Sequence, residues 1–325
     1  MRRLARLAAA MLLLLPVQVT AATTWKAYIY NSAITTTAAQ GFQRICDAIA
    51  RETNGELKIQ MHLGGSLPIK VTDITQAVGD RVVEMGADGF FLGAVTIGGV
   101  LRLPMLIKTL EELDKAEAVM QPYLDRAFKK KGAVILGQYN YPPQVIWANK
   151  PVTRLTDLAG KKIRVTSPEQ SEFMKRMEAI GVTIGSPEVP SALERGVVDG
   201  AVTASAGGGR IWADLLTHNY RLGINFFNSL IIVNDEAFAE LKPALRDKVQ
   251  EIVRREAPAI TRQMFGEEEE ITEMLRGKGM VVTRPTPEEV AAATDRMKPF
   301  WDEWAKANGP EHVEALAKVR AAIGH

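Results

Sequence analysis

The stretch Gly160–Glu169, GKKIRVTSPE, places a guanidinium in an apolar setting, with Arg164 between Ile163 and Val165 in a short strand-like run. Successive residues of a strand face opposite ways, so Lys162, Arg164 and Thr166 share one side and Ile163 and Val165 the other. Arg164 falls at the carboxyl end of that strand, just before a turn at Pro168. In α/β sheets, ligands bind in the crevice outside those ends. A guanidinium offers a planar fork of donors that matches a carboxylate bidentately, and burial in a cleft strengthens the pair. The chemistry expected here is recognition of an anion. An edge strand with Arg164 in water fits the same pattern.

Other chemistries find little support. Cys46 is the one cysteine, so no intramolecular disulfide can form, and its place in FQRICDAI marks a buried small hydrophobe. The four histidines (His62, His218, His312 and His325) sit in no nucleophile motif, and no HExxH, CxxC, calcium-loop or GxSxG pattern occurs. GGGR at Gly207–Arg210 lacks the Lys-Ser/Thr of a phosphate loop and reads as a flexible turn. EEEE at Glu267–Glu270 reads as a solvated helix face. The expectation is a binding protein, not an enzyme, with no metal and no cofactor.

The elements that must position Arg164 belong to a chain of 325 residues, 46 % hydrophobic and 24 % charged, enough for one large or two medium domains. Arg2, Arg3 and Arg6 precede the apolar run LAAAMLLLLPVQV, and small residues then suit cleavage before Ala22, the pattern of an export signal over residues 1–21. The run falls short of the ~20 residues a membrane span requires. Removing those three arginines turns the formal net charge of +2 into −1. The remaining basic groups, such as Lys129–Lys131, are short and lack interleaved aromatics, so nucleic acid is not an expected partner.

Apolar periodicity alternates along the chain. TWKAYIY reads as a strand. The segment from Ser32 to Gly55 reads as a helix capped by Ser32 or Thr35, with Phe42, Ile45 and Ile49 on one face and a stop at Asn54-Gly55. ELKIQMHL alternates as a half-buried strand, completing a β-α-β unit. Val71–Asp88 and Val189–Ala204 share one plan of short helix, glycine, two valines, acid and strand, which suggests two α/β lobes of similar construction. Beyond Asn234 one or two long amphipathic helices run to Gly277 and Gly279.

The segment LTDLAGKKIRVTSPEQSEFMKRMEAIGVTIGSPEVPSALERGVVDGAV resembles the substrate-binding subunits of TRAP transporters, the DctP-like family. The likeness continues in ARETNGELKIQMHLGGSLP, LRLPMLIKTLEEL and IIVNDEAFAELKPALRDKVQEI, and so spans essentially the whole mature chain. It implies an α/β, two-lobed periplasmic-binding-protein-like fold with a hinge and long C-terminal helices. Lobe I is expected over residues 22–142 plus 230–270, and lobe II over 143–229 plus 271–325. The resemblance also implies a periplasmic protein, monomer or weak dimer, that closes around a small organic acid and delivers it to the membrane subunits of a TRAP permease.

In that family the arginine matching Arg164 grips the substrate carboxylate. Gln144 stands where relatives commonly carry an arginine or glutamine, and one cation fewer there favours a monocarboxylate with an adjacent oxo or hydroxyl group over a dicarboxylate or sialic acid, while the aromatic residues leave an aromatic acid open. A solvent-facing Gln144 is the alternative. Thr203 is the nearest polar candidate after VVDG, where AVTASAGGG departs from the family pattern and puts a co-bound cation in doubt. Asp88, Phe90, Tyr141 and Phe227 complete the expected site. Of the six aromatics Phe90, Phe91, Tyr141, Trp147, Phe226 and Phe227, about half are expected to reach ligand, and Trp212 is expected to serve packing. A periplasmic protein presenting a carboxylate to a sensor, or a secreted hydrolase, are the alternatives.

Overall fold

The computed structural model describes residues 22–325, so the expected export signal lies outside the described residues. β1 (Thr23–Ile29) leads to α1 (Thr37–Glu52), and β2 (Leu57–His62) returns parallel to β1. The cap of α1 is Thr36, whose hydroxyl accepts the Ala39 N–H, one residue beyond the expected Thr35. The helix ends at Asn54 and Gly55, both at positive φ, the left-handed conformation that stops a helix. α2 (Ile74–Gly79) and β3 (Met85–Asp88) follow, with β3 parallel to β1 on its other side.

α3 (Leu110–Lys129) precedes the first of two long strands, β4 (Ala133–Ala148). β5 (Lys162–Val165), α4 (Pro168–Arg176) and β6 (Ile180–Thr183) then repeat the β-α-β unit, and α5 (Val189–Glu194) with β7 (Gly200–Thr203) repeats the helix and strand of α2 and β3. The one-turn α6 (Arg210–Trp212) leads to the second long strand, β8 (His218–Asn234). The remainder is α7 (Asp235–Glu240), α8 (Pro243–Gly277), β9 (Val281–Thr283), α9 (Pro287–Asn308) and α10 (Pro310–Ile323).

The strands form one sheet in the order β2-β1-β3-β8-β4-β7-β5-β6, with β9 paired to β8. Read from its two edges the order is the same: a parallel triplet with its first strand in the middle, then a long strand antiparallel to the third. The similarity between Val71–Asp88 and Val189–Ala204 therefore reflects two structural repeats. The long strands β4 and β8 pair with each other and join the two halves.

That central ladder is irregular where the halves meet. Register shifts occur between Tyr141 and Gln144 and between Gln144 and Ile146. Pro142 and Pro143 lack the N–H that a ladder needs, and a bulge re-aims the side chain beside it. Gln144 is that side chain.

α8 packs against α1, against β4 and against the turn at Ser205–Gly209. Gly41 permits the close approach of α1, since a Cβ there would lie 2.4 Å from Ile260 Cγ1. α9 meets the second half, where Glu289 accepts the Leu155 N–H. The last helix differs from its expected place in lobe II: α10 rests on α3 and the turn at Thr96–Arg102, with Tyr123 donating to Glu314 and Arg126 to Glu311. The C-terminal helices thus contact both halves.

Candidate functional site

The carboxyl ends of β1, β3, β5 and β7 point to one crevice beside the bulge in β4, and a cavity lies there. Its volume is about 40 Å³, on a measure in which one water takes roughly 10–15 Å³. The space suits a compact molecule.

β5 brings Arg164 to this cavity almost fully buried, with 2 % of its surface exposed. Its Nε donates to the Ile184 carbonyl at 2.8 Å and its Nη1 to the Val202 carbonyl at 3.3 Å, while Nη2 has no partner. These two bonds hold the guanidinium plane and leave one donor corner free. The group lies 5.3 Å from the Trp212 ring centre and 5.9 Å from that of Phe90, within the range of cation–π attraction. Burial pushes its pKa down to about 9, against a weak opposing influence of Glu188. It remains charged at neutral pH, and it forms no ion pair among the described residues.

Gln144 lines the cavity, buried, its amide donating to the Pro142 carbonyl at 3.0 Å. The bulge therefore turns this side chain inward and away from solvent. Thr203 also lines it, and its hydroxyl accepts the Gly208 N–H at 2.9 Å. Trp147, fully buried and outside the cavity, donates its indole N–H to the Thr203 carbonyl at 3.0 Å. Thr166 lines the cavity through a chain in which Gln170 accepts from its N–H and hydroxyl and donates to Asn225.

Of the six aromatics considered from sequence, Phe90, Tyr141 and Phe227 line the cavity and the other three do not. Phe91 packs on Phe128, and Phe226 stacks on Phe265. The lining rings meet edge to face, Phe90 on Phe227 at 5.9 Å and Tyr141 on Phe227 at 5.3 Å, the arrangement that aromatic quadrupoles favour.

Four expectations are corrected. Asp88 does not line the cavity: it is fully buried, and its carboxylate is taken up by the Thr75 hydroxyl at 2.6 Å and the Phe90 N–H at 2.8 Å, so it holds the backbone of Phe90. Burial pushes its pKa up to about 6. Trp212, expected in packing, presents its ring to the cavity and to Arg164, because α6 follows directly on the turn that forms one wall. The acidic run also differs from a solvated face, since Glu267 accepts the Thr37 hydroxyl at 2.6 Å and Glu268 is buried. The GGGR turn is largely buried as well.

Residues missed from sequence include Tyr30 and Asn31. They follow the end of β1, as Arg164 lies next to the end of β5, and the same strand-end reasoning finds them. The Tyr30 hydroxyl donates to that of Tyr141 at 2.9 Å, and the Asn31 amide donates to the same oxygen at 3.4 Å. Asn31 Oδ1 is left without a partner. The site combines a single cation, amide and hydroxyl groups, and aromatic walls; Arg164 is the one charged side chain among the described residues lining it. No group of histidine, cysteine and acidic residues suited to a metal ion occurs among the described residues.

Comparison with known proteins gives consistent results. The sequence profile of a family described as bacterial extracellular solute-binding protein, family 7, matches residues 30–307. The ectoine-binding periplasmic protein TeaA of Halomonas elongata is 22 % identical over 83 % of this chain and 82 % of its own length. The uncharacterised protein YiiZ of Salmonella typhimurium is 29 % identical over 47 % of this chain, which spans about half (48 %) of YiiZ. Among solved structures, DctP7 of Bordetella pertussis, an extracytoplasmic solute receptor binding pyroglutamic acid, superposes with a TM-score of 0.86 at 24 % identity, over 92 % of this chain and all of that one. A marine metagenome TRAP solute-binding protein specific for pyroglutamate gives 0.85 at 21 % identity, over 92 % and 99 % of the two chains.

Proposed function

This chain belongs to family 7 of the bacterial extracellular solute-binding proteins, and from that premise we propose that it captures a compact organic monocarboxylate between its two lobes and delivers it to a TRAP-type membrane permease. The observation that carries the reading is Arg164: a buried guanidinium with a free donor facing a cavity and no counter-ion among the described residues. Leaving a buried charge unpaired is costly, and a carboxylate in the cavity supplies both the missing charge and the acceptor for Nη2.

The rest of the wall selects the remainder of the ligand. With one cation in the lining, a second carboxylate would be buried without compensation, which disfavours dicarboxylates. Asn31 and Gln144 offer amide groups and Thr203 a hydroxyl to an adjacent oxo, hydroxyl or lactam group, and Phe90, Tyr141 and Phe227 cover an apolar ring or chain. Pyroglutamate, the ligand of DctP7, has this combination of one carboxylate, one amide and a small ring. It heads the candidate list.

The work of such a site is mechanical. Closure follows when ligand binds the closed arrangement better than the open one, and the bulged centres of β4 and β8 are the segments suited to act as hinge. Among the described residues no helix is long and apolar enough to cross a membrane. The reading is tested by thermal shift of the mature protein with L-pyroglutamate, 2-oxo acids, 2-hydroxy acids, aromatic acids, dicarboxylates and sugar acids, beside Arg164→Ala. A ligand at a thousand times its Kd adds about 4 kcal/mol and several degrees to the midpoint. A shift with a monocarboxylate that vanishes in the variant is expected; no shift with any acid, or an equal shift in the variant, would sink the assignment.

A further inference from the structure

The turn Ser205–Gly209 forms one wall of the cavity with bare backbone. Gly207 and Gly208 line it, and a Cβ on Gly208 would lie 2.3 Å from Trp212 Cζ3. Gly207 adopts φ −93° and ψ −123°, outside helical values. A run of glycines has little conformational preference of its own, so something else must hold this segment in shape.

That support comes from α8. Glu268 accepts the Ser205 N–H at 3.0 Å through Oε1 and the Ala206 N–H at 2.8 Å through Oε2. The same carboxylate pairs with Arg221 of β8 at 2.9 Å, and Arg221 Nη1 also donates to Ser205 Oγ at 2.8 Å. Ser205 Oγ in turn meets Thr272 Oγ1 at 2.7 Å. Both charged side chains are at most a tenth exposed. Bonds from backbone N–H groups to a carboxylate are stronger than neutral ones, and more so out of water.

We propose that Glu268 is a positioning residue for ligand binding: it touches no ligand, but by binding the two amides that open the glycine turn it fixes the wall at Gly207 and Gly208. Trp212 is fixed with it, and so is the ring face that Trp212 turns to Arg164. The proposal rests on the reading that the ligand occupies this cavity. Affinity would then depend on a carboxylate in a helix outside the cavity.

The test compares wild type with Glu268→Gln and with the double variant Arg221→Gln/Glu268→Gln, which removes both charges and avoids leaving one buried alone. Affinity for L-pyroglutamate is measured by calorimetry, and amide hydrogen exchange over residues 203–212 is measured in the unliganded protein. Expected are at least tenfold weaker binding and faster exchange at 205–209 in both variants, with the melting temperature recovered in the double variant and the affinity not. Recovery of affinity together with stability, or unchanged affinity in Glu268→Gln, would show a merely structural pair and overturn the proposal. Absence of pyroglutamate binding in wild type counts against the ligand reading instead. The exchange data then decide: lost protection at 205–209 supports the clamp and unchanged protection overturns it.

Discussion

Arg164 and Arg102 are two buried guanidinium groups joined through one aromatic cluster, and neither forms an ion pair among the described residues. Arg164 lies over Phe90 at 5.9 Å, Phe90 meets Phe227 at 5.9 Å, and Arg102 lies over Phe227 at 4.2 Å. Only Arg164 lines the cavity. Arg102 is spent on the fold: its Nε donates to Asn228 Oδ1 at 2.8 Å and its Nη2 to the Asn228 carbonyl, fastening the turn at Thr96–Arg102 to the middle of β8. Burial pushes its pKa down to about 10, opposed chiefly by Glu169.

Replacement of Arg164 should therefore separate binding from folding. In Arg164→Lys the charge can persist, but the planar fork that bonds Ile184 and Val202 while offering Nη2 is gone, and an ammonium loses its proton more readily when buried. Affinity for the acid that shifts wild type should fall by about 10- to 100-fold, the loss of one charge-assisted bond or more. Relief of a buried guanidinium without a counter-ion offsets the lost bonds to Ile184 and Val202, so the melting temperature without ligand should stay close to wild type. Calorimetry beside circular dichroism reads both.

Arg102→Met should do the opposite. The methionine removes a buried charge but leaves Asn228 Oδ1 and the Asn228 carbonyl without their donor in a closed interior. An unsatisfied buried acceptor costs about 1–3 kcal/mol. Urea unfolding should show a loss of that size. Equal stability would mean that Asn228 finds another donor.

The contrast between the two arginines marks what could be read from the chain alone. Arg164 announces itself because a charge interrupts an alternating apolar strand at its carboxyl end. Phe90 follows from its place after the strand ending at Asp88, Gln144 and Thr203 from the family resemblance, Tyr141 from flanking Gln144 and Phe227 from the segment before LIIVN, while the two repeats with their connecting helices follow from apolar periodicity. Arg102 lies in a stretch of tight turns without periodicity, and its partner Asn228 is 126 residues away. Glu268 sits in a run of four acids, where helix rotation alone decides which one is buried. Asp88 misled for the converse reason: a strand-end acid has the right address for a site, but its carboxylate is taken by Thr75 and the Phe90 N–H.

Asp88 also predicts a pH dependence. Burial raises its folded pKa from 3.8 to about 6, so the folded state binds the proton more tightly than the unfolded chain. The stability it contributes is fully present below pH 3.8 and is lost as pH rises through about 6. By linkage a shift of about two units corresponds to roughly 2–3 kcal/mol. Glu117 acts in the same sense, raised by burial to about 7. Unfolding free energy should therefore increase as pH falls from 8 to 5. Asp88→Asn should reduce the slope below pH 6, and Glu117→Gln should reduce it below pH 7 and abolish it between 6 and 7. Identical pH profiles for wild type and both variants would remove the two groups from the account.

Gly208→Ala tests the wall itself with a single methyl group. The added Cβ would lie 2.3–2.7 Å from three ring atoms of Trp212, below any normal contact. The ring is 5 % exposed and rigid, so either it tilts away from the Arg164 guanidinium or the turn moves into the cavity. Both movements act on the ligand space. Overpacking of this kind typically costs about 1–3 kcal/mol. Because the strain sits at the site, most of it should appear as lost affinity, about five- to hundredfold, together with a changed indole emission spectrum. A variant that binds like wild type with an unchanged spectrum would mean that the turn relaxes outward, and that neither Trp212 nor the glycine wall bears on the ligand.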